Sequence, residues 1–279
     1  MSRWEARGRL LANGRTPAVM GILNVTPDSF SDGGETLSVE HAFARALAMV
    51  EDGADLLDIG GESSRPGASP ISLEEELQRV IPVVAALAPR VPIPISVDTT
   101  KAEVARQALA AGASIVNDIT ALSADPAIER VVRDAGAGVV LMHMRGEPRT
   151  MQNDPLYDDV VREVRDYLSR RIEWAEARGI PRSRIAVDPG VGFGKTATHN
   201  LELLRNLEQF ATLGCTLLVG LSRKGFLGGM TGRPVGQRAA ASVAASLAAC
   251  VQGANVVRVH DVGPMADAIK VWTAIRGWN

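Results

Sequence analysis

Cysteine is nearly absent from this chain of 279 residues, which carries only Cys215 and Cys250. They stand far apart in apolar surroundings, so buried free thiols are expected and a disulfide framework is not. That suits a reducing compartment, the cytoplasm. Positive charge is not in surplus either, the net charge being -2. A nucleic-acid partner normally needs a basic face, so none is expected, although a local anion site needs only a few groups. Long apolar runs are missing too. The polar start Met1–Arg9 has no secretory apolar core. The longest apolar stretch, Ala239–Val251, is broken by Ser242 and Ser246 and is too short to cross a bilayer, so no membrane association is expected. There is no Pro/Ser linker and no low-complexity segment. A single domain over 1–279 is expected, with its core from about 17 to 276.

What is present is an ordered alternation. Short β-branched runs lie at Ala18–Asn24, Leu56–Gly60, Ile93–Asp98, Ile115–Asp118, Gly138–His143, Ile185–Asp188, Leu217–Leu221 and Val256–Val259. Helical patterns separate them, near Val39–Glu51, Leu73–Leu87, Lys101–Ala110, Pro126–Asp134, Asp158–Arg178, Asn200–Phe210, Gln237–Cys250 and Met265–Ile275. Gly-Ala pairs such as Gly112-Ala113 and Gly136-Ala137 stop a helix just before a strand. Strand–helix alternation predicts a parallel sheet. Eight units in about 250 residues predict its closure into an α/β (β/α)8 TIM barrel. The alternative, a doubly wound open sheet, would carry a dinucleotide fingerprint after the first strand, and Asn24-Val25-Thr26-Pro27 is not one.

Barrel enzymes place their chemistry at the carboxyl ends of the strands. Here those ends read Asn24, Asp58, Asp98, Asn117-Asp118, His143, Asp188, Ser222-Arg223-Lys224, and Arg258 with His260. One such residue could merely cap the next helix. A ring of them predicts a polar ligand pocket, because unpaired buried charge is costly. Asp98, Asn117 and Asp188 offer acceptors and an amide to a flat heterocycle rich in N–H donors, and Lys224 offers a donor to a ring oxygen. Arg258 and His260 stand two apart and so share a face. With Asn24 and Arg65 they would grip an anion such as a phosphate; the alternative for His260 is a packed, satisfied ring.

Two loops look suited to cover such a pocket, Thr26–Gly34 with Phe30 in it, and Gly60–Gly67 with Arg65 and Pro66. The alternative is a surface loop with an incidental aromatic. The run Pro189–Thr196 imitates a phosphate-binding glycine loop but has Pro189 where the first glycine is required, and Lys195 ends its G-x-G-x-x-G likeness. Its glycines instead let backbone approach a flat ligand, with Phe193 as a wall.

At these residues the chain resembles the dihydropteroate synthase family. The matching segments are MGILNVTPDSFSDGG at 20–34, GADLLDIGGESSRPG at 53–67, ISVDT at 95–99, NDI at 117–119, LMHM at 141–144, VDPGVGFGK at 187–195, SRKGFLG at 222–228 and RVHDV at 258–262. They span nearly the whole chain. The resemblance implies the condensation of 6-hydroxymethyl-7,8-dihydropterin diphosphate with p-aminobenzoate, giving 7,8-dihydropteroate and pyrophosphate in folate biosynthesis. It implies Asp98, Asp188, Lys224, Arg258 and His260 as catalytic residues. The pterin would be held by Asp98, Asn117, Met142, Asp188, Gly192, Phe193, Gly220, Lys224 and Arg258. The diphosphate would be held by Asn24, Ser64, Arg65, Arg258 and His260, with Mg²⁺ at Asn24. The p-aminobenzoate pocket, a sulfonamide target, would be bordered by Phe30, Ser64, Pro66, Phe193, Ser222, Lys224 and Gly225.

The chain departs from the family pattern at Ser64, where Thr is commoner, and at Gly225, where Ser or Arg often stands. A pterin-binding methyltransferase barrel or an inactive pterin-binding relative would share the pterin edge, but neither needs the anion residues. Ala239–Val251 is apolar on every face, which predicts more burial than an outer barrel helix receives from its own barrel. A homodimer through the helices around 237–251 and 265–275 is expected, as the resemblance also implies; tight packing on the barrel is the alternative.

Overall fold

Alternation along the strands decides which side chains meet inside this molecule. The structure, a computed structural model, describes residues 3–14, 16–26 and 35–277, the side chains of 35–38 apart. Two short strands come first, β1 (Trp4–Ala6) and β2 (Arg9–Ala12), paired antiparallel. Eight parallel strands follow: β3 (Ala18–Asn24), β4 (Leu56–Gly60), β5 (Ile95–Asp98), β6 (Ile115–Asp118), β7 (Gly138–Met142), β8 (Ile185–Asp188), β9 (Thr216–Gly220) and β10 (Val256–Val259). Each pairs with the next, and β10 pairs back to β3, closing the barrel. The expected (β/α)8 fold is therefore the observed one.

The surrounding helices among the described residues are α1 (Glu35–Glu51), α2 (Leu73–Leu87), α3 (Ala102–Ala110), α4 (Ile128–Asp134), α5 (Val160–Glu176), α6 (Ala197–Arg205), α7 (Glu208–Ala211), α8 (Gly225–Thr231), α9 (Ala239–Val251) and α10 (Val262–Ile275). Side-chain caps fix several starts. Ser72 accepts from Glu75 N at the head of α2, and Asp159 accepts from Arg162 N at the head of α5. The Asp159 cap is why α5 begins at Val160, two residues after the expected start. The expected helix Asn200–Phe210 is broken in two, because Asn206 turns its amide onto the Glu202 carbonyl and leaves helical geometry. Strand β5 starts at Ile95 rather than Ile93; Pro94 has no N–H to give a ladder. The glycine-rich α8 and the β1–β2 hairpin were not expected at all.

Inward-facing residues fall into layers. Ala18, Met20, Leu56, Ile115, Val140, Ala186, Leu218 and Val256 fill the amino-terminal half of the barrel. Against them pack Trp4, Ala6, Leu11 and Ala12 from the hairpin, which closes that end. Trp4 is fully buried and donates its indole N–H to Arg184 O at 3.0 Å. Outward-facing residues pack against the helices in a second, larger cluster. The carboxyl-terminal half of the barrel is left to polar groups.

Candidate active site

One step of two residues beyond the apolar layer changes the chemistry of the interior. Leu56 is followed by Asp58, Ser96 by Asp98, Ile115 by Asn117, Ala186 by Asp188 and Val256 by Arg258. The strand register sets these positions side by side, Asp98 opposite Asn117 and Asp58 opposite Ile22 and Ser96.

Arg258 organises one half of this ring. Its Nε donates to Asp58 Oδ2 at 2.5 Å and its terminal nitrogen to Asp98 Oδ2 at 2.8 Å. Asp58 Oδ2 also accepts from Asn117 Nδ2 at 3.0 Å, while Asp58 Oδ1 is buried without a partner. Two carboxyls thus share one guanidinium. Burial, with Asp58, Glu76 and Asp118 nearby, raises the Asp98 carboxyl to about 7 against the opposing pull of Arg258. The group is a poised acceptor rather than an ordinary surface acid. The close approach needs a glycine on the neighbouring strand, since a Cβ at Gly60 would lie 3.3 Å from Asp98 Cβ.

Asp188, Lys224 and Phe193 form the other half. Asp188 accepts from Gly190 N at 2.7 Å and is raised by burial, with Lys224, Lys195 and Arg258 pulling it back. Lys224 is lowered to about 8 by burial, with Asp188 opposing. Its ammonium lies 4.1 Å above the Phe193 ring, a cation–π contact. Gly192 lies against the Lys224 stem, where a Cβ would come 3.1 Å from Cδ. Met142 is the register partner of Asp188, and Gly220 is that of Arg258.

The anion side is built from β10 and its neighbour. His260 N donates to Ser222 Oγ at 3.1 Å, and the ring Nδ1 lies 3.0 Å from the same oxygen. With that hydroxyl oxygen accepting the backbone N–H, we assign its proton to Nδ1, which leaves the ring proton on Nε2. Burial lowers the His260 imidazole to about 3, with Arg258, Arg223 and Arg65 adding to the effect, so it is neutral. Arg65 and Pro66 are exposed and Ser64 is half-buried on the β4–α2 loop. That loop is tied to the one after β7, Gly67 N donating to Pro148 O at 3.1 Å. Asn24 is half-buried at the end of β3. Gly225 opens α8 with nothing near the place of a Cβ.

Some expectations change. Arg258 is engaged by two acids, so its approach to an anion starts from an ion-paired state. His143 and Asp118 leave the ring: each follows an inward residue and so faces outward. Asp118 accepts from Thr120 N and Leu122 N as a turn cap, and His143 meets Lys195 instead. Asp58, placed at a strand end without a role, is the hub of Arg258 and Asn117; its step of two from Leu56 carried the signal. Lys195 was read only as part of a glycine-rich run. Phe30 and most of the Thr26–Gly34 loop lie outside the described residues. No group of three or more His, Cys, Asp or Glu among the described residues could hold a metal ion.

A family model described as pterin binding enzyme matches residues 20–260. The dihydropteroate synthase of Synechocystis is 49% identical over 263 residues, covering 94% of this chain and 91% of that one. A structure of Xanthomonas albilineans dihydropteroate synthase with 4-aminobenzoic acid superposes with a TM-score of 0.92 at 50% identity, covering 98% of both chains. The enzyme from the same organism in complex with 7,8-dihydropteroate superposes with a TM-score of 0.88 at 47% identity, again covering 98% of both.

Proposed function

The chain belongs to the dihydropteroate synthases among the pterin-binding enzymes, and on that premise we propose how its strand-end ring performs their reaction. The observation that carries the reading is the set Asp58, Asp98, Asn117, Asp188 and Arg258 on inward positions of the barrel strands, with Lys224 at the head of α8; Asp58, Asn117 and Asp188 are buried and the other three half-buried. Asp98, Asn117 and Asp188 accept the N–H donors of the pterin edge and Lys224 donates to its oxygen. Met142, Gly192, Phe193 and Gly220 would flank the flat ring, and Arg258 would border it.

The bond that breaks joins the pterin methylene carbon to a diphosphate oxygen, and the electron pair leaves with pyrophosphate. His260, presenting Nε2–H, and Arg65, with Asn24 and Ser64, take up that charge. Positive character on the methylene carbon is favoured by the carboxylates around the ring. The aromatic nitrogen of p-aminobenzoate then bonds to that carbon and gives up a proton. Phe30, Ser64, Pro66, Phe193, Ser222, Lys224 and Gly225 border the amine, in the place where sulfonamides would compete.

Mg²⁺ fits this site as an ion carried in with the diphosphate. It keeps most of its waters and takes few protein ligands, and the donor here is the single amide oxygen of Asn24. Bound there, it would neutralise leaving-group charge.

The whole chain acts as one domain, in the cytoplasm, where its two buried thiols stay reduced. Among the described residues no helix is long and apolar enough to cross a membrane. A homodimer is supported by α9 and α10. The buried face of α9 carries Ser242, Ser246, Ala249 and Cys250, while Ala240, Ala244, Ala248 and Val251 form an exposed apolar stripe. Val271 and Ile275 on α10 are 60% and 80% exposed. A monomer by light scattering at micromolar concentration would count against this pairing.

The deciding experiment is pyrophosphate release from the pterin diphosphate with Mg²⁺, with and without p-aminobenzoate. Release that depends on the amine is expected. No release at any enzyme concentration sinks the assignment.

A further inference from the structure

Lys195 is 2% exposed, yet it stands outside the strand-end ring, at the close of the β8–α6 loop. Its amino group meets Gly190 O at 3.0 Å, Phe193 O at 3.0 Å and His143 Nδ1 at 2.9 Å. The His143 carbonyl oxygen lies at 3.4 Å as well, so the group faces four acceptors, and burial lowers its amine to about 7, with Asp188 opposing. The His143 ring is lowered to about 2 by burial, with Lys195 adding to the effect, so its Nδ1 is free to accept. The loop is wound so that these carbonyls turn inward while two of its amides turn away, Gly190 N to Asp188 and Gly192 N to Asn200 Oδ1, and Phe193 N closes the turn on Gly190 O at 3.0 Å. That winding needs left-handed residues. Gly190 and Gly194 have φ of +67° and +61°, and a Cβ at either would collide with the carbonyl oxygen of His143 or of Arg145.

We propose that Lys195 is a positioning residue for the condensation: its amino group is the internal donor around which the 188–196 loop folds. The loop carries two groups the substrates meet, Asp188 at its start and Phe193 beneath the Lys224 ammonium. Without the Lys195 amino group, the Phe193 carbonyl and His143 Nδ1 lose their buried donor, the Gly190 carbonyl keeps only the Phe193 N–H, and the loop relaxes. The proposal rests on the reading of the site given above, because it concerns the placement of that site's Asp188 and Phe193.

The test uses Lys195→Met, His143→Leu and His143→Asn, with kcat and both KM values measured, pterin diphosphate binding followed by calorimetry, and Tm recorded separately. Asn Oδ1 takes roughly the place of the imidazole Nδ1, so His143→Asn keeps an acceptor for the amino group and His143→Leu does not. Lys195→Met is expected to raise KM for p-aminobenzoate and Kd for the pterin about tenfold or more, the scale of an ångström-sized misplacement. His143→Leu moves the same constants in the same direction, and His143→Asn restores them. Trp4→Phe, at the far end of the barrel, lowers Tm while leaving both constants unchanged. A folded Lys195→Met with wild-type KM and Kd overturns the proposal. So does a His143→Asn variant as impaired as His143→Leu, and this pair decides the matter if Lys195→Met does not fold. Absence of turnover in the wild type would sink the reaction itself; pterin Kd across the same variants then decides on Lys195.

Discussion

The two ends of the barrel are built on the same strands and do opposite things. At the amino-terminal end, Leu56, Ile115, Ala186 and Val256 meet a hairpin that seals them with Trp4. Two residues further along, the same strands present Asp58, Asn117, Asp188 and Arg258 to one another. The first end is held by burial of apolar surface, which is undirected and tolerates change of shape better than change of volume. The second is held by directed charge pairs that stabilise little on balance but are costly to break singly. The difference teaches where this fold stores stability and where it stores chemistry.

Four measurements would sharpen or break that contrast. Arg258→Ala has the largest expected effect, because it strikes both. It leaves Asp58 and Asp98 buried without their cation, at about 3–5 kcal/mol of stability. It also removes at least about 1.5–3 kcal/mol of transition-state binding, roughly ten- to a hundredfold or more in rate. An unchanged kcat/KM would remove Arg258 from the site. Trp4→Ala should cost about 3–5 kcal/mol of stability in denaturant titration, with kcat per folded molecule unaltered; a loss of kcat would show that the two ends are not separable. Asp188→Asn should weaken pterin binding by about 1.5–3 kcal/mol in calorimetry while leaving Tm the same or higher, since a desolvated charge is removed.

The smallest effect is a pH dependence of opposite sign for binding and stability. Lys224 is lowered to about 8 from an ordinary 10.5, by burial against the pull of Asp188. As pH rises through about 8 the folded protein loses the ammonium, so pterin affinity should fall above that pH. Between about 8 and 10.5 the unfolded chain binds the proton that the folded chain lacks, so this group's contribution to stability rises with pH. Comparing wild type with Lys224→Met isolates both trends. A binding profile equally steep in the variant would assign the titration to another group.

Much of the fold was legible because strand and helix periods differ and Gly-Ala pairs punctuate them. Strand ends are legible too, so Asp98, Asn117 and Asp188 group together before their contacts are known, and the period of two sets Arg258 and His260 on one face. The β1–β2 hairpin could not: Trp4–Ala6 and Arg9–Ala12 are too short for a period to show, and they are stabilised by the barrel floor. The Lys195 cage was hidden because a glycine-rich run with a lysine invites comparison with phosphate loops. Only the path of the backbone shows that the lysine is the loop's own ligand.

The sequence by itself determined the barrel, the end that carries polar groups and the family, because periodicity and short motifs are local properties of the chain. Tertiary structure alone decided that Arg258 lies between Asp58 and Asp98, that His143 turns out to Lys195, and that Trp4 closes the far end. Those facts depend on residues up to 200 positions apart in the chain. Such separations become contacts only once a closed sheet has set which strand lies next to which.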